Sequence, residues 1–320
     1  MSRLTVGVDL GGTKIQAAAV RSRKVAGTFR VPTPQTGAFD VAAAIVEAAT
    51  QAVAEAREEV GDVVGVGIGA PGTIDTEAGT VSSSPNLPGF QSTEPLALGE
   101  MVSKGLGGTP VKLDNDVRIA ILGEWQRGAG RGYRNLLGVW VGTGVGGGLI
   151  LDGKLFQGQG AAGEIGHTIV KPGGRVCSDG RKGHLEAYAG RGQMEAEARH
   201  RVKKGAKTDL FEIMERKGKT RLASGVWAES LEEKDKLAVE LVDDAVEALA
   251  IGLASVQNLL SLEAIVVGGG LGDRLGAPFV ERIAQEMKPL LFVGDEPPKL
   301  LTTEHGDLSG AVGGAVLAGG

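Results

Sequence analysis

The 320-residue chain has a single cysteine, Cys177, which excludes an internal disulfide framework and suits a reducing cytoplasm. Aromatic residues make up only 4%, leaving few platforms on which single-stranded nucleic acid could stack. Positive charge is not in excess: the formal net charge is −5, which argues against a dedicated nucleic-acid binder. No window approaches the about 18 consecutive apolar residues of a membrane-spanning helix, and the N-terminus MSRLTVGVDLGG enters a strand pattern without an apolar leader. A P-loop is also missing, since no G-x-x-x-x-G-K-[ST] occurs.

Glycine, by contrast, is abundant. The 53 glycines do not form G-x-y or Gly/Ser repeats but stand at the ends of apolar runs, as turns and ligand loops do. A hydrophobic content of 42% with 23% charged residues is enough for a sizeable core, and the length exceeds that of a usual single domain.

The densest glycine turn, GTGVGGGLILDG from Gly142, lies between the apolar runs VWV and LIL. That pattern predicts strand, tight turn, strand, with backbone N–H groups free to face an anion. Gly142, Gly144 and Gly147 also satisfy G-x-G-x-x-G, but the dinucleotide fingerprint needs a helix after the glycines, and LILDGKLF reads as a strand and turn. Residues 4–20, LTVGVDLGGTKIQAAAV, have the same organisation, so the chain reads as a weak internal duplication offset by about 135 residues.

Asp9 is the one charge in the first strand, and a carboxylate there is expensive without a cation or donors. It reads as a turn-capping residue or as part of a phosphate and Mg²⁺ site, with Thr13 and Lys14 following. A helix is expected at about 38–59, a buried strand in VVGVGIGAPGTID and a binding loop in SSSPNLPGF, where Asn86 stands. In VKLDNDVRIAILGEW a strand runs into a helix through Asp114-Asn115-Asp116. An N-cap accounts for one of these three polar residues; the others stand where open α/β sheets place their chemistry. Residues 192–248 read as helical, their Lys/Arg-rich part near 199–221 as a solvated face, and EAIVVGGGLGD as a strand closed by Gly268-Gly269-Gly270.

Taken together, VGVDLGGTK, GIGAPGTID, SPNLPGF, LDNDV, VGTGVGGGLILDG with GAAGEIGH, and VVGGGLG resemble the ROK family of sugar kinases, within the actin/hexokinase/Hsp70 ATPase superfamily, over essentially the whole chain. The resemblance implies an α/β fold of two similar ribonuclease-H-like, actin-like ATPase domains flanking a cleft, with duplicated mixed sheets and glycine-rich phosphate hairpins. The small domain would comprise residues 1–115 with 303–320, the large one residues 116–302. It further implies Mg-ATP as the donor and a hexose as the acceptor, glucose first, with an N-acetylhexosamine or fructose as alternatives and polyphosphate as an alternative donor. Asp116 matches the catalytic base. Gly72, Asn86, Asn115, Glu164, His167 and Glu186, with Asp116, match positions that hold the sugar. Asp9, Gly11, Gly12, Thr13 and Lys14 match the first phosphate loop, Asp9 also standing for Mg²⁺. Thr143, Gly144, Val145 and Gly146 match the second, and Gly268, Gly269 and Gly270 the adenosine contact. A cytoplasmic homodimer is expected by analogy. The family's regulators place a winged helix ahead of the Asp9 loop; eight residues precede Asp9 here, which disfavours that class.

The chain departs from the pattern at the family's zinc site, normally three cysteines and a histidine. In CSDGRKGHLE, Cys177 stays while Asp179 and His184 replace the other two cysteines. With His167 these are four legitimate zinc ligands; alternatively, hydrogen bonds among the same groups hold the loop.

Overall fold

The computed structural model describes residues 3–84 and 87–319. Around the Gly11-Gly12 turn the chain forms β1 (Leu4–Leu10) and β2 (Lys14–Arg21), and a second hairpin adds β3 (Lys24–Pro32). Helix α1 (Ala38–Glu55) presents Val41, Ile45, Ala48 and Ala52 to the core. It stops short of residue 59 because Arg57 turns to a positive φ of 59°. Strand β4 (Val63–Ala70) then leads through the short hairpin β5 (Thr73–Asp75) and β6 (Thr80–Ser82) to α2 (Leu98–Gly105), β7 (Val111–Asn115) and α3 (Asp116–Arg127).

The second half repeats the scheme. Strands β8 (Leu136–Val141), β9 (Val145–Leu151) and β10 (Lys154–Phe156) form the hairpins. A helical stretch follows: α4 (Glu186–Ala189), α5 (Arg191–Lys203), α6 (Leu210–Arg216), α7 (Ser224–Glu232) and α8 (Lys236–Leu260). Then come β11 (Ala264–Gly268), α9 (Gly269–Met287), β12 (Lys299–Thr302) and α10 (Ser309–Gly319). In the helical stretch Arg199 pairs with Glu195, Arg201 with Glu197, Glu240 and Asp244, and Arg216 with Glu229.

The duplication is complete at the level of topology. The sheets run β3-β2-β1-β4-β7 and β10-β9-β8-β11-β12. In each, the first two pairings are antiparallel and the last two parallel. Each sheet has its own core, with Val8, Ile45, Ile68 and Leu113 in one and Val139, Trp227, Leu253 and Ile265 in the other.

The chain divides into one unit of Met1–Gly132 with Asp307–Gly320 and another of Tyr133–Gly306. Helix α3, with Asp116, therefore belongs to the first unit and not to a large domain starting at residue 116. The cause is the small-residue helix α10, which packs against α3, β1 and β4. The backbones meet so closely that a Cβ on Gly313 would lie 1.6 Å from Ile119 O, and one on Gly7 1.7 Å from Ala311 O. No helix among the described residues is long and apolar enough to cross a membrane.

Candidate functional site

In the first unit, strand register gathers the polar residues. Asp9 on β1 is level with Gly69 on β4, which is level with Asp114 on β7, so Asp9, the turn carrying Gly72, Asn115 and Asp116 all stand at the carboxyl ends of three adjacent parallel strands. That edge is where α/β sheets bind ligands. Gly72 has a φ of +106° and faces Ser82 O and Ser84. Asn86 lies outside the described residues, while its loop neighbours Leu87 and Phe90 are buried and anchor the loop in the core.

The three polar residues of the β7–α3 junction divide their work. Asn115 is the N-cap: its Oδ1 accepts from Val117 N at 3.0 Å and Arg118 N at 3.1 Å. Asp114 forms a buried ion pair with Arg118, accepting from Nε at 2.7 Å. Asp116 accepts from Val117 N at 2.9 Å through Oδ1, in the first helical turn where the macrodipole favours a carboxylate.

The Gly11–Lys14 turn is closed by Gly11 N donating to Lys14 O at 2.9 Å, and Thr33 Oγ1 donates to Gly11 O at 2.6 Å. Lys14 pairs with Asp307 at 3.1 Å. Asp9 sits under this turn, and a Cβ on Gly310 would lie 2.7 Å from its Cγ. Burial first and the charge of Asp116 second push Asp9 up to about 7, with Lys14 and Arg30 opposing. Between its unfolded value of 3.8 and about 7 the native state binds the extra proton, so stability falls as pH rises through this window. In metal-free protein Asp9→Asn is expected to raise the Tm at pH 8 by several degrees, about what one or two kcal/mol produces. Melting curves should show that advantage shrinking to nothing as pH falls towards 4.

In the second unit the turn after β8 is closed one residue more tightly, Gly142 N donating to Gly144 O at 2.9 Å. Val145 N donates to Glu186 Oε2 at 2.9 Å, and a Cβ on Gly144 would lie 2.3 Å from that oxygen. Val145 and Gly147 also back the segment carrying Glu164 and His167: a Cβ on Gly166 would lie 2.0 Å from Val145 O, and one on Gly147 2.5 Å from Gly163 O. The run after Gly144 thus serves backbone packing as well as any anion. Trp140 at the end of β8 is level with Gly268 on β11. Gly269, with a φ of +82°, places its backbone where a Cβ would be 2.7 Å from Val141 N. The two glycine turns, Gly142–Gly146 and Gly268–Gly270, are therefore neighbours.

His167, Cys177, Asp179 and His184 converge, their ligand atoms all within 4.8 Å of one another. His167 Nδ1 is 3.4 Å from His184 Nδ1 and 3.5 Å from Asp179 Oδ2, which is 3.3 Å from His184 Nδ1. A tetrahedron with metal–ligand bonds of about 2.1 Å has edges of about 3.4 Å. Burial raises the Cys177 thiol, with bonds to the Asp179 backbone and Ser178 partly opposing, and Sγ lies 3.7 Å from Glu186 Oε1. Glu186 Oε1 also accepts from Ser178 Oγ at 2.5 Å, so the cluster abuts the carboxylate that touches the second glycine turn.

Sequence reasoning passed over Arg191, whose side chain lies on the Gly142–Gly144 turn. The available signal was an arginine flanked by Gly190 and Gly192 just after Glu186.

A mixed sheet of this order, occurring twice with a glycine turn after its first strand each time, defines the two-domain actin-like ATPase fold. The chain belongs to the ROK family, which it matches over residues 5–320. It is 35% identical to a glucokinase of Streptomyces coelicolor, covering 98% of this chain and 97% of the relative. It is 33% identical to an N-acetyl-D-glucosamine kinase of Photobacterium profundum, covering 97% and 98%. Among solved structures, a ROK family glucokinase from Streptomyces griseus in complex with glucose and AMPPNP superposes with a TM-score of 0.80 at 32% identity, covering 98% and 99%.

Proposed function

We propose that this protein phosphorylates glucose on its 6-hydroxyl with ATP as donor, Asp116 acting as general base. The observation that carries the reading is the gathering of Asp9, Asn115 and Asp116 at one sheet edge beside a glycine turn, in a fold whose second sheet carries the matching turn. Phosphoryl transfer to a hydroxyl needs an aligned donor, neutralised phosphate charge and an acceptor for the hydroxyl proton. Asn115 spends its Oδ1 on the helix cap, which leaves its amide N–H groups for a sugar oxygen, while Asp116 presents a carboxylate oxygen for the proton. Glu164, His167 and Glu186 would accept and donate to neighbouring hydroxyls, a pattern that suits carboxylates and imidazole. Thr143–Gly146 would face the donor phosphates and Gly268–Gly270 the adenosine.

Asp9 fits a magnesium ion, because a carboxyl driven up to about 7 gains most from a nearby cation. When bound, magnesium supplies charge neutralisation on the phosphates. The His167, Cys177, Asp179 and His184 set fits zinc in ligand type and in the separations of its nitrogen and oxygen atoms. Zinc there would tie the Ile165–His167 turn to the Cys177–His184 loop and leave Nε2 of His167 for the sugar. Elemental analysis of zinc-supplemented protein is expected to give about one equivalent per chain, falling to about a tenth in His184→Ala; equally low zinc in the unaltered protein would leave hydrogen bonding as the loop's only tie.

The choice of sugar is tested by comparing kcat/KM for glucose, N-acetylglucosamine, N-acetylmannosamine and fructose with Mg-ATP. Glucose is expected to lead; a lead by an N-acetylhexosamine would move the assignment to that class.

A further inference from the structure

Arg191 takes part in none of the chemistry above. It opens α5, and its backbone N–H donates to Gly142 O at 3.1 Å while Gly192 N donates to Thr143 O at 2.9 Å. The side chain folds over the same turn: Nε donates to Gly142 O at 3.2 Å and Nη2 reaches Thr143 Oγ1 at 3.5 Å. From the other side, a Cβ on Gly270 would lie 3.7 Å from Nη2. The guanidinium therefore stands between the Gly142–Gly144 turn and the Gly268–Gly270 turn.

Its charge is not met by these bonds. Both oxygens are neutral, and a guanidinium has more N–H donors than they use. The carboxylate whose charge bears on it, Glu195, is already occupied. Its Oε1 accepts from Arg199 at 2.7 and 3.0 Å and its Oε2 from Leu222 N at 2.9 Å. A second cation, Arg221, overhangs the same place: a Cβ on Gly192 would lie 3.9 Å from its Nη2, and its own contact with Glu195 is a long 3.9 Å. Burial first and the Arg221 charge second lower the pKa of Arg191, with Glu195 partly offsetting them. Two like charges over one half-buried turn are relieved by an anion placed between them, and planar guanidinium groups match phosphate oxygens best. Next to this pair, Ser224 Oγ lies 3.2 Å from the Gly270 Cβ position. The residues flanking Ser224 line a cavity of about 440 Å³ that also carries Lys219 and Arg274. Lys219 and Arg274 give that neighbouring cavity positive charge.

We infer that Arg191, assisted by Arg221, binds the phosphoanhydride chain of the phosphoryl donor, a role that rests on the kinase reading. The chain is that of a nucleoside triphosphate or of inorganic polyphosphate, and equilibrium titrations with ATP, ADP, adenosine and tripolyphosphate separate the sources. In Arg191→Gln, affinity for ATP and ADP is expected to fall about 10- to 100-fold, the effect of losing a charged hydrogen bond, with adenosine affinity unchanged. Arg191→Lys should recover part of the loss, and Arg221→Gln, at an exposed position, should show the same selective loss at smaller size. Tripolyphosphate binding as tightly as ATP assigns the pair to a polyphosphate donor; much weaker binding assigns it to a nucleotide. An unchanged preference for ATP over adenosine in Arg191→Gln, or an equal loss of both, overturns the inference. Unaltered protein that binds neither ATP nor tripolyphosphate overturns the donor reading itself, a separate failure because no variant is involved.

Discussion

Asp116→Asn is expected to lower kcat by about 10²- to 10⁴-fold, the range general-base catalysis supplies, while sugar affinity stays within about threefold of the unaltered protein, the variant keeping the same hydrogen-bonding shape. Asparagine keeps an Oδ1 to accept from Val117 N, as Asp116 does at 2.9 Å. The helix start and its Asn115 cap should therefore persist, and the substitution removes the carboxylate proposed to take the hydroxyl proton. A second readout follows from Asp9, which is pushed up by burial and then by the charge of Asp116. With that charge gone, Asp9 should titrate lower, its remaining upward shift coming from burial first and the charge of Asp307 after it. Near-normal kcat in the variant would remove Asp116 from the mechanism, whatever Asp9 does.

Gly144→Ala is the second large effect. Glycine 144 needs no unusual backbone angle, so the fold should survive, but its new Cβ would stand 2.3 Å from Glu186 Oε2. Glu186 must then leave Val145 N, to which it is bonded at 2.9 Å. Displacing a positioned group by about 1 Å costs about 10²-fold in rate. A rise in the KM for sugar and a fall of about 10²-fold in kcat/KM are expected, with the Tm lowered by only a few degrees. Because Glu186 also holds Ser178 and lies 3.7 Å from Cys177, zinc content should be measured on the same sample. A sugar KM equal to that of the unaltered protein would separate Glu186 from the sugar.

Much of this was legible in the chain because it was local. Glycine pairs between β-branched runs set the turns at Gly11–Gly12 and Gly142–Gly144, and Asn115 followed by an apolar helical pattern marked the start of α3. The strand character of LILDGKLF, seen in β9 and β10, rightly set aside the dinucleotide fingerprint. What was not legible depended on residues distant in sequence. The unit boundary lies at Gly132, beyond residue 115, because Gly313 on α10 meets Ile119 on α3 backbone to backbone, a contact no local pattern announces. Asp114 looked like chemistry, yet the partner that claims it, Arg118, lies one helical turn on, a spacing that could have been read. Arg191 was hidden because its meaning comes from Gly142 and Gly270, distant in the chain. The composition of the His167, Cys177, Asp179 and His184 cluster was plain, but only the fold brings its nitrogen and oxygen atoms to tetrahedral-edge separations.

The most direct test of the central claim is ³¹P NMR of the full-length protein incubated with Mg-ATP and glucose. The predicted result is a phosphomonoester on the glucose 6-hydroxyl, formed in equal amount to ADP and lost in Asp116→Asn. Complete absence of a sugar phosphomonoester with glucose and with every other hexose offered would contradict it.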